Sequence, residues 1–440
     1  MSAENNKKSL SDWLGLQWKP DYDQNRAWGR ILGFAIQVVA AILVLLGLGL
    51  LIAFAASVYK AISAGTEMTG EAIRNVGLAL AAVFGAPFLV WRSLVAQRQT
   101  DIAEQSQITD RINKAVENLA ATRVLHDAEG RQFTEPNLEV RIGAIYALER
   151  IAQDSLRDHV QIMEILTAYV RENAKAEDAE DSPRARWRAA FEAPEVQHKD
   201  NAAKAAYAHQ ETDLTDATSL EAIRDWARSL KCRTDIQAAL TVIGRRSATQ
   251  IERETADTRQ SDKGFRLDLL ATNLQGADLS NLDFKSARLS GAHLEGAKLN
   301  KAHMEGSDLF KAHMEGADLF KAHLEGADLF GAHLEEAVLL GTHLDGANLS
   351  RAHLEGSDLR WAQLDHATSF TKAVMTHAAV KNVDLSNIRL SADQINAMFG
   401  DGTVTLPEAI LRPPAHWPSD DLRFRDFDAK WTLYKSNPTA

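Results

Sequence analysis

A single cysteine, Cys232, stands in 440 residues, which excludes an internal disulfide framework and suits a reducing compartment. The chain lacks a phosphate-binding glycine loop, a dinucleotide glycine pattern, an HExxH helix and a nucleophile elbow, so no enzymatic motif is present. His126, His159 and His198 stand alone and read as surface or packing residues. Basic excess is also missing. The formal net charge of -11 argues against a nucleic-acid-binding surface over the whole chain.

What is present is a short period. Between Ala271 and Asp365 the chain reads GADLS, GAHLE, GAKLN, KAHME, GSDLF, KAHME, GADLF and so on. Leu274, Leu279, Phe284, Leu289, Leu294, Leu299, Met304, Leu309, Met314 and Leu319 recur every five residues, continuing to Leu364. A small residue precedes nearly every one by two positions, as at Ala277, Ala292, Ala302 and Ala312. A period of five matches neither a helix nor a flat strand. It suits a chain that turns a corner every five residues and stacks on itself.

This pattern resembles the pentapeptide-repeat family. The resemblance implies a right-handed quadrilateral β-helix over residues 264–390, with four pentapeptides per coil and about six coils, on the order of 30 Å long at ~4.8 Å per coil. Open ends of such a ladder need covering. At one end SADQINAMFGDG reads as a short helix from the N-cap Ser391 to Gly400, opening a cap and tail over 391–440. After Asp365 the register slips by about one residue, giving Phe370, Met375, Val380, Leu385 and Leu390 as the next inward set.

The residues flanking each inward side chain should point outward. One face then stacks His293, His313, His333 and His353 beside Glu295, Glu315, Glu335 and Glu355. The opposite face stacks His303, His323 and His343 beside Glu305, Glu325 and Asp345. The other two carry Asp278, Lys298, Asp318 and Asp358 with Phe320 and Leu340, and Asp308, Asp328 and Asn348 with Phe310 and Phe330. Imidazole and carboxylate suit zinc or nickel, which makes His303, His313, His323 and His333 candidate ligands. A flat ladder splays its side chains instead of converging them, so solvated His/Glu pairing, sensitive to pH near 6–7, is the preferred expectation, with no cofactor. Exposed aromatics mark contact surfaces. Phe310, Phe320, Phe330 and Leu340, with His313, Glu315, His323 and Glu325, are therefore the candidate contacts for a protein partner or for self-association. Some pentapeptide-repeat proteins mimic DNA and bind type II topoisomerases. Here Lys298, Lys301, Lys311, Lys321, Arg351 and Arg360 interrupt the acidic faces.

Upstream, Ile31–Tyr59 is almost wholly apolar and exceeds the ~20 residues that span a bilayer. It is too long and starts too far in for a signal peptide. A second apolar run, from Val76 to about Val95, contains Pro87, which membrane helices tolerate. Together they predict a two-helix transmembrane hairpin over 31–95 behind a segment 1–30. Lys7, Lys8, Lys19, Arg26 and Arg30 precede it, and Arg92, Arg98, Arg111 and Lys114 follow, against Lys60 and Arg74 in the link. Both termini are expected to be cytoplasmic, in a bacterial inner membrane.

Residues 96–172 read as a stalk helix, with Ile108, Ile112, Ala115 and Leu119 in a 4-3-4 stripe, followed by a helical pair. The run VRIGAIYALERIA resembles a HEAT or armadillo unit, implying an all-α connector. Residues 173–263 read as a charged linker and two helices, Ser219–Leu230 and Thr234–Arg246, expected to cap the near end of the rod. The whole predicts a multidomain, non-enzymatic, membrane-held scaffold. The rival readings are a DNA mimic, a metal ladder, and a membrane sensor or defence effector.

Overall fold

The computed structural model describes residues 85–186, 217–258, 264–410 and 412–436, with parts of 42–78. Residues 1–41, residues 76 and 79–84 of the second apolar segment, and His198 lie outside the described residues. The chain divides into two units, Met1–Gln107 and Ile108–Ala440. In the first, among the described residues, one helix, Leu45–Ala64, is long and apolar enough to cross a membrane, with mean hydropathy 2.0. Helix α1 runs from Ala86 to Leu119 without a break at the expected 95/96 boundary.

In the second unit, Ile112, Ala115 and Leu119 are buried, as their spacing predicts. A hairpin follows, β1 (Thr122–His126) against β2 (Gln132–Pro136), with Val124 opposite Thr134. Its turn places Gly130 at φ 76 and satisfies the Asp127 carboxylate with the Glu129 and Arg131 amides. Sequence reading did not anticipate this hairpin.

Helix α2 (Leu138–Asp154) and α3 (His159–Asn173) bury Ile145, Leu148, Ile151, Ile162, Met163 and Leu166 at 0–1% exposure. After α4 (Ala217–Ser229), helix α5 (Thr234–Gly244) packs on both through Ile236, Leu240 and Ile243. A buried polar cluster ties them together. Tyr169 donates to Asp235 at 2.6 Å, and Arg233 bonds the same carboxylate. Burial and that carboxylate push the Tyr169 phenol up to about 12. His159, expected to be an isolated residue, is fully buried with its Nε2 2.7 Å from Glu254 on α6 (Ala248–Thr255), whose other oxygen accepts from Arg246.

From Asp268 the chain coils. Parallel bridges join residue i to i+20 without exception from Asp268↔Arg288 to His343↔Gln363. Each inward residue donates its N–H one coil onward, as Leu294 to His313 at 2.6 Å and Leu334 to His353 at 2.7 Å. Each corner is a four-residue turn in which Ala277 bonds Leu274, Ala297 bonds Leu294, and so on. The third turn residue has positive φ, +64 at Gly296 and +55 at Lys301, as type II turns require. Leu274 through Leu354, the methionines and the paired alanines are 0–1% exposed. At roughly 1.5–3 kcal/mol per buried apolar side chain, this spine dominates the rod's stability.

The register slip falls where the sequence placed it. Asn348 pairs Ser369 and His353 pairs Val374, at i+21. The extra residue sits in a turn where Asp365 accepts from Ala367 and Thr368. Phe370, Met375, Val380 and Leu385 are buried, but Ile388 takes the following inward place and Leu390 is only partly covered.

Both ends are closed. At the near end Asn273 donates to Ala174 and Asp283 to Gly244, so the α3 exit and α5 occupy the free edge of the first coil. At the far end α7 (Ala392–Ala397, ending before Gly400) carries a capping box between Ser391 and Gln394. The Gln394 amide also donates to Phe370 and Ala373. The ladder continues past it through Ala379↔Phe399 and Asp384↔Thr405. A helix not expected from sequence, α8 (Phe424–Ser436), locks the cap with Phe427 fully buried and Trp431 donating to His377.

The two helices expected at the near end part company. Helix α5 caps it, whereas α4 lies along the side of the rod. Gly276, Gly296, Gly316 and Gly356 form one corner column, and a Cβ would collide with Leu230 at Gly276, with Ala227 at Gly296 and Gly316, and with Glu336 beside Leu220 at Gly356. Bare backbone at that corner is what lets a helix approach. Gly296→Ala is expected to cost about 1–2 kcal/mol for its left-handed φ and about 1–3 more for overpacking against Ala227. Gly326→Ala, at φ +66 with nothing within 4 Å among the described residues, should show only the first cost. Urea unfolding of the two variants measures the difference.

Candidate interaction faces of the coil

Twenty residues per coil and four corners sort the outward residues into four faces. The first face holds His293, His313, His333 and His353, and the third holds His303, His323 and His343. On both, the imidazoles stack in parallel. Ring centroids on the first face are 4.5–4.8 Å apart with planes within 3°, and on the third 4.5–4.7 Å apart within 18°. Most rings turn Nδ1 toward the glutamate two residues on, at 2.8 Å for His293–Glu295 and 3.1 Å for His323–Glu325.

Triplets such as His313, Glu315 and His333 bring three donor atoms within 4.8 Å. Zinc–nitrogen bonds of about 2.0–2.1 Å place two ligand nitrogens at most about 4.2 Å apart. Parallel rings also aim their lone pairs side by side instead of at a common point. The candidate ligands His303, His313, His323 and His333 thus fall on two opposite faces. A shared ion would require the rings to turn and release their carboxylates.

The two ladders differ in a way the sequence hides. Glu295, Glu315, Glu335 and Glu355 are buried at 1–4% exposure, so the expectation of a solvated ladder does not describe the first face. Residues 182–186 and α4 cover it. Arg184 donates to Glu335 at 2.8 Å and Glu355 at 3.1 Å. Glu305 and Glu325, on the third face, keep side-chain exposures of 27% and 34%. All six glutamates leave Oε2 buried without a hydrogen-bond partner. Such carboxylates favour a cation beside them.

Phe310 and Phe330 stack at 5.6 Å, with Lys311 and Arg351 over their faces at 5.4 and 5.6 Å. Phe310 is 38% exposed. Phe320 and Leu340 lie half a coil away, partly covered, with Lys321 over the Phe320 ring. The three phenylalanines therefore belong to two separate faces.

Cations fasten the covering elements, and of these sequence reading had singled out only Arg360. Lys435 of α8 bonds Glu336 at 2.8 Å, and Arg224 of α4 approaches the same carboxylate. Arg360 bonds Asp358 and Asp428 and lies 4.3 Å from the Phe424 ring. A glutamate interrupting the glycine corner column at position 336 was the readable signal.

The fold is thus a four-sided β-solenoid with one corner and both ends covered by helices. A pentapeptide-repeat family model matches residues 267–291, 287–326 and 327–368 in eight copies, and this part of the chain belongs to that family. Among solved structures, HetL, a pentapeptide repeat protein involved in heterocyst differentiation regulation from Nostoc sp. PCC 7120, is 22% identical. That match covers 36% of this chain and 89% of HetL, with a TM-score of 0.21. QnrB1, a plasmid-mediated fluoroquinolone resistance protein, is 15% identical over 35% of this chain and 78% of its own, with a TM-score of 0.21. A pentapeptide repeat protein of the Arabidopsis thaliana thylakoid lumen is 28% identical over 29% and 70%, with a TM-score of 0.14. No curated protein matches the chain significantly.

The ladder yields a pH prediction. Burial works against the charge of His313, but the Glu315, Glu295 and Glu335 carboxylates outweigh it and hold its pKa above the usual value. The Glu355 hydrogen bond raises His353 against burial and Arg184. A raised folded pKa means that the stabilisation is complete below about 6.5, the unfolded value. It is lost as pH rises through the folded value. Thermal midpoints should fall as pH climbs upward from about 6.5, and His313→Gln with His353→Gln should flatten that slope.

Proposed function

We propose that the chain is a non-catalytic, membrane-tethered scaffold that uses its pentapeptide-repeat rod as a rigid display surface for a protein partner. The observation that carries this reading is the one-sided covering of the rod. Residues 182–186 and its own helices bury the first-face glutamates and close both ends, while among the described residues nothing covers Phe310 or the third-face Glu305 and Glu325 to the same degree. Rigidity favours display, because a main chain bonded coil to coil spends no ordering entropy on binding.

The tether rests on the apolar helix Leu45–Ala64 and, in sequence, on the second apolar run. The arrangement we favour is a hairpin in a bacterial inner membrane with both termini cytoplasmic, joined to the rod through a HEAT-like connector. A DNA mimic fits less well, because Lys301 and Lys321 line one corner, and Lys311 and Arg351 another, breaking the acidic faces.

Alkaline carbonate extraction tests the tether. The full chain should remain in the membrane pellet, and a chain lacking residues 31–95 should leave it. A photoreactive residue at Phe310 tests display, with Glu129 on the hairpin turn as control. A discrete heteromeric adduct at Phe310 alone is expected. Equal capture at both sites would remove the reading, and inhibition of DNA supercoiling by the soluble part would replace it with the mimic.

A further inference from the structure

Ten residues advance the chain half a coil, so opposite corners are built from the same decapeptide. The first corner presents Gly276, Gly296 and Gly316, and the third presents Gly306, Gly326 and Gly346, all with φ between +63 and +69. Each glycine follows an acidic or amide residue, and each column runs beside a histidine ladder. The corners differ in one respect. On the first, α4 lies along the rod. Leu230 meets Gly276, Ala227 lies between Gly296 and Gly316, Arg224 reaches Glu336 and Leu220 meets Gly356. From Leu230, just past its end, to Leu220, the segment advances ten residues over the four coils between Gly276 and Gly356, and Ala227 serves two of them.

On the third corner, among the described residues, no side chain comes closer than 3.7 Å to where a Cβ would stand on Gly306, and nothing lies within 4 Å at Gly326. A shallow, open depression of about 570 Å³ lies beside them, lined by Arg266, Ser290, Asp308, Phe310 and Asp328. Asp308 and Asp328 line it with Arg266. Glu305, Glu325 and Asp345 precede the corner glycines, against Lys285, 3.2 Å from Glu305, and Lys311 and Arg351 over the Phe310 and Phe330 rings, so acidic groups remain in the majority.

We propose that the third corner is a docking groove for an amphipathic helix of a partner protein, one that carries a small residue at the glycine contact and Lys or Arg one turn away. The helix seated on the equivalent corner supplies the template, with Ala227 as the small residue and Arg224 as the cation. The more acidic border of the third corner calls for more basic charge on the incoming helix than α4 carries. The inference rests on the display reading and names the site and the chemistry of the partner.

The test uses the full chain in detergent micelles and a fluorescent, helix-stapled peptide of residues 217–230 made more basic by Glu221→Lys and Asp225→Lys. The tethered α4 holds the first corner at high effective concentration, leaving the third for the peptide. Saturable binding is expected, weakened at least about tenfold, or 1.4 kcal/mol, by Gly326→Asn in the protein or Ala227→Gln in the peptide. Asparagine tolerates left-handed φ, so that variant keeps its fold. A photoreactive group at peptide position 227 should attach near Gly306 and Gly326. No binding up to about 1 mM, indifference to Gly326→Asn, or attachment at the first corner would each overturn the proposal. If Gly326→Asn instead dissociates a dimer of the full chain, the occupant is a second copy and the assignment to another protein is wrong. Loss of the peptide result with retention of the Phe310 adduct would remove this groove and leave the display reading standing.

Discussion

Everything in the rod depends on main-chain hydrogen bonds that close between residues one coil apart. Because Leu294 bonds His313 and Leu334 bonds His353, side chains twenty residues apart sit in register. That register turns a sequence period into columns. Leucines and alanines become a continuous buried spine, histidines become stacked rings, and glycines become a bare corner. A one-residue insertion is absorbed only where a turn can hold it, as at Asp365–Thr368.

Corners decide what may approach the rod. All of them use a left-handed residue, yet the chain fills two columns largely with glycine and places lysine or arginine in the other two at Lys301, Lys321, Lys311 and Arg351. Those cations accept a backbone strain of roughly 1–2 kcal/mol each and keep neighbours at a distance by charge and bulk. The glycine columns invite contact. On one of them α4 lies against the backbone, and Arg184, Arg224 and Lys435 supply cations to the glutamates that this covering buries. Covering and charge compensation are therefore one event.

Much of this was legible in the sequence. The period of five, the inward set, the slip after Asp365 and the four outward columns all follow from local chemistry repeated in register. What escaped was long-range. Glu295 and Glu305 sit in nearly identical decapeptides, yet one is buried and the other is not, because a helix some seventy residues upstream lies over only one of them. Helix α8 and the β1–β2 hairpin carry weak local patterns and take their form from what they pack against. In the candidate site the columns were readable, including the split of Phe310 from Phe320 onto two faces, but their accessibility was not.

The central claim is that two chemically equivalent corners differ only because the chain covers one. Thiol-labelling rates test it most directly, with Glu315→Cys and Glu325→Cys each placed in a Cys232→Ser background. The account predicts slow labelling at 315, fast labelling at 325, and a rise at 315 when Arg184 and α4 are removed. Equal rates in the intact chain would contradict it.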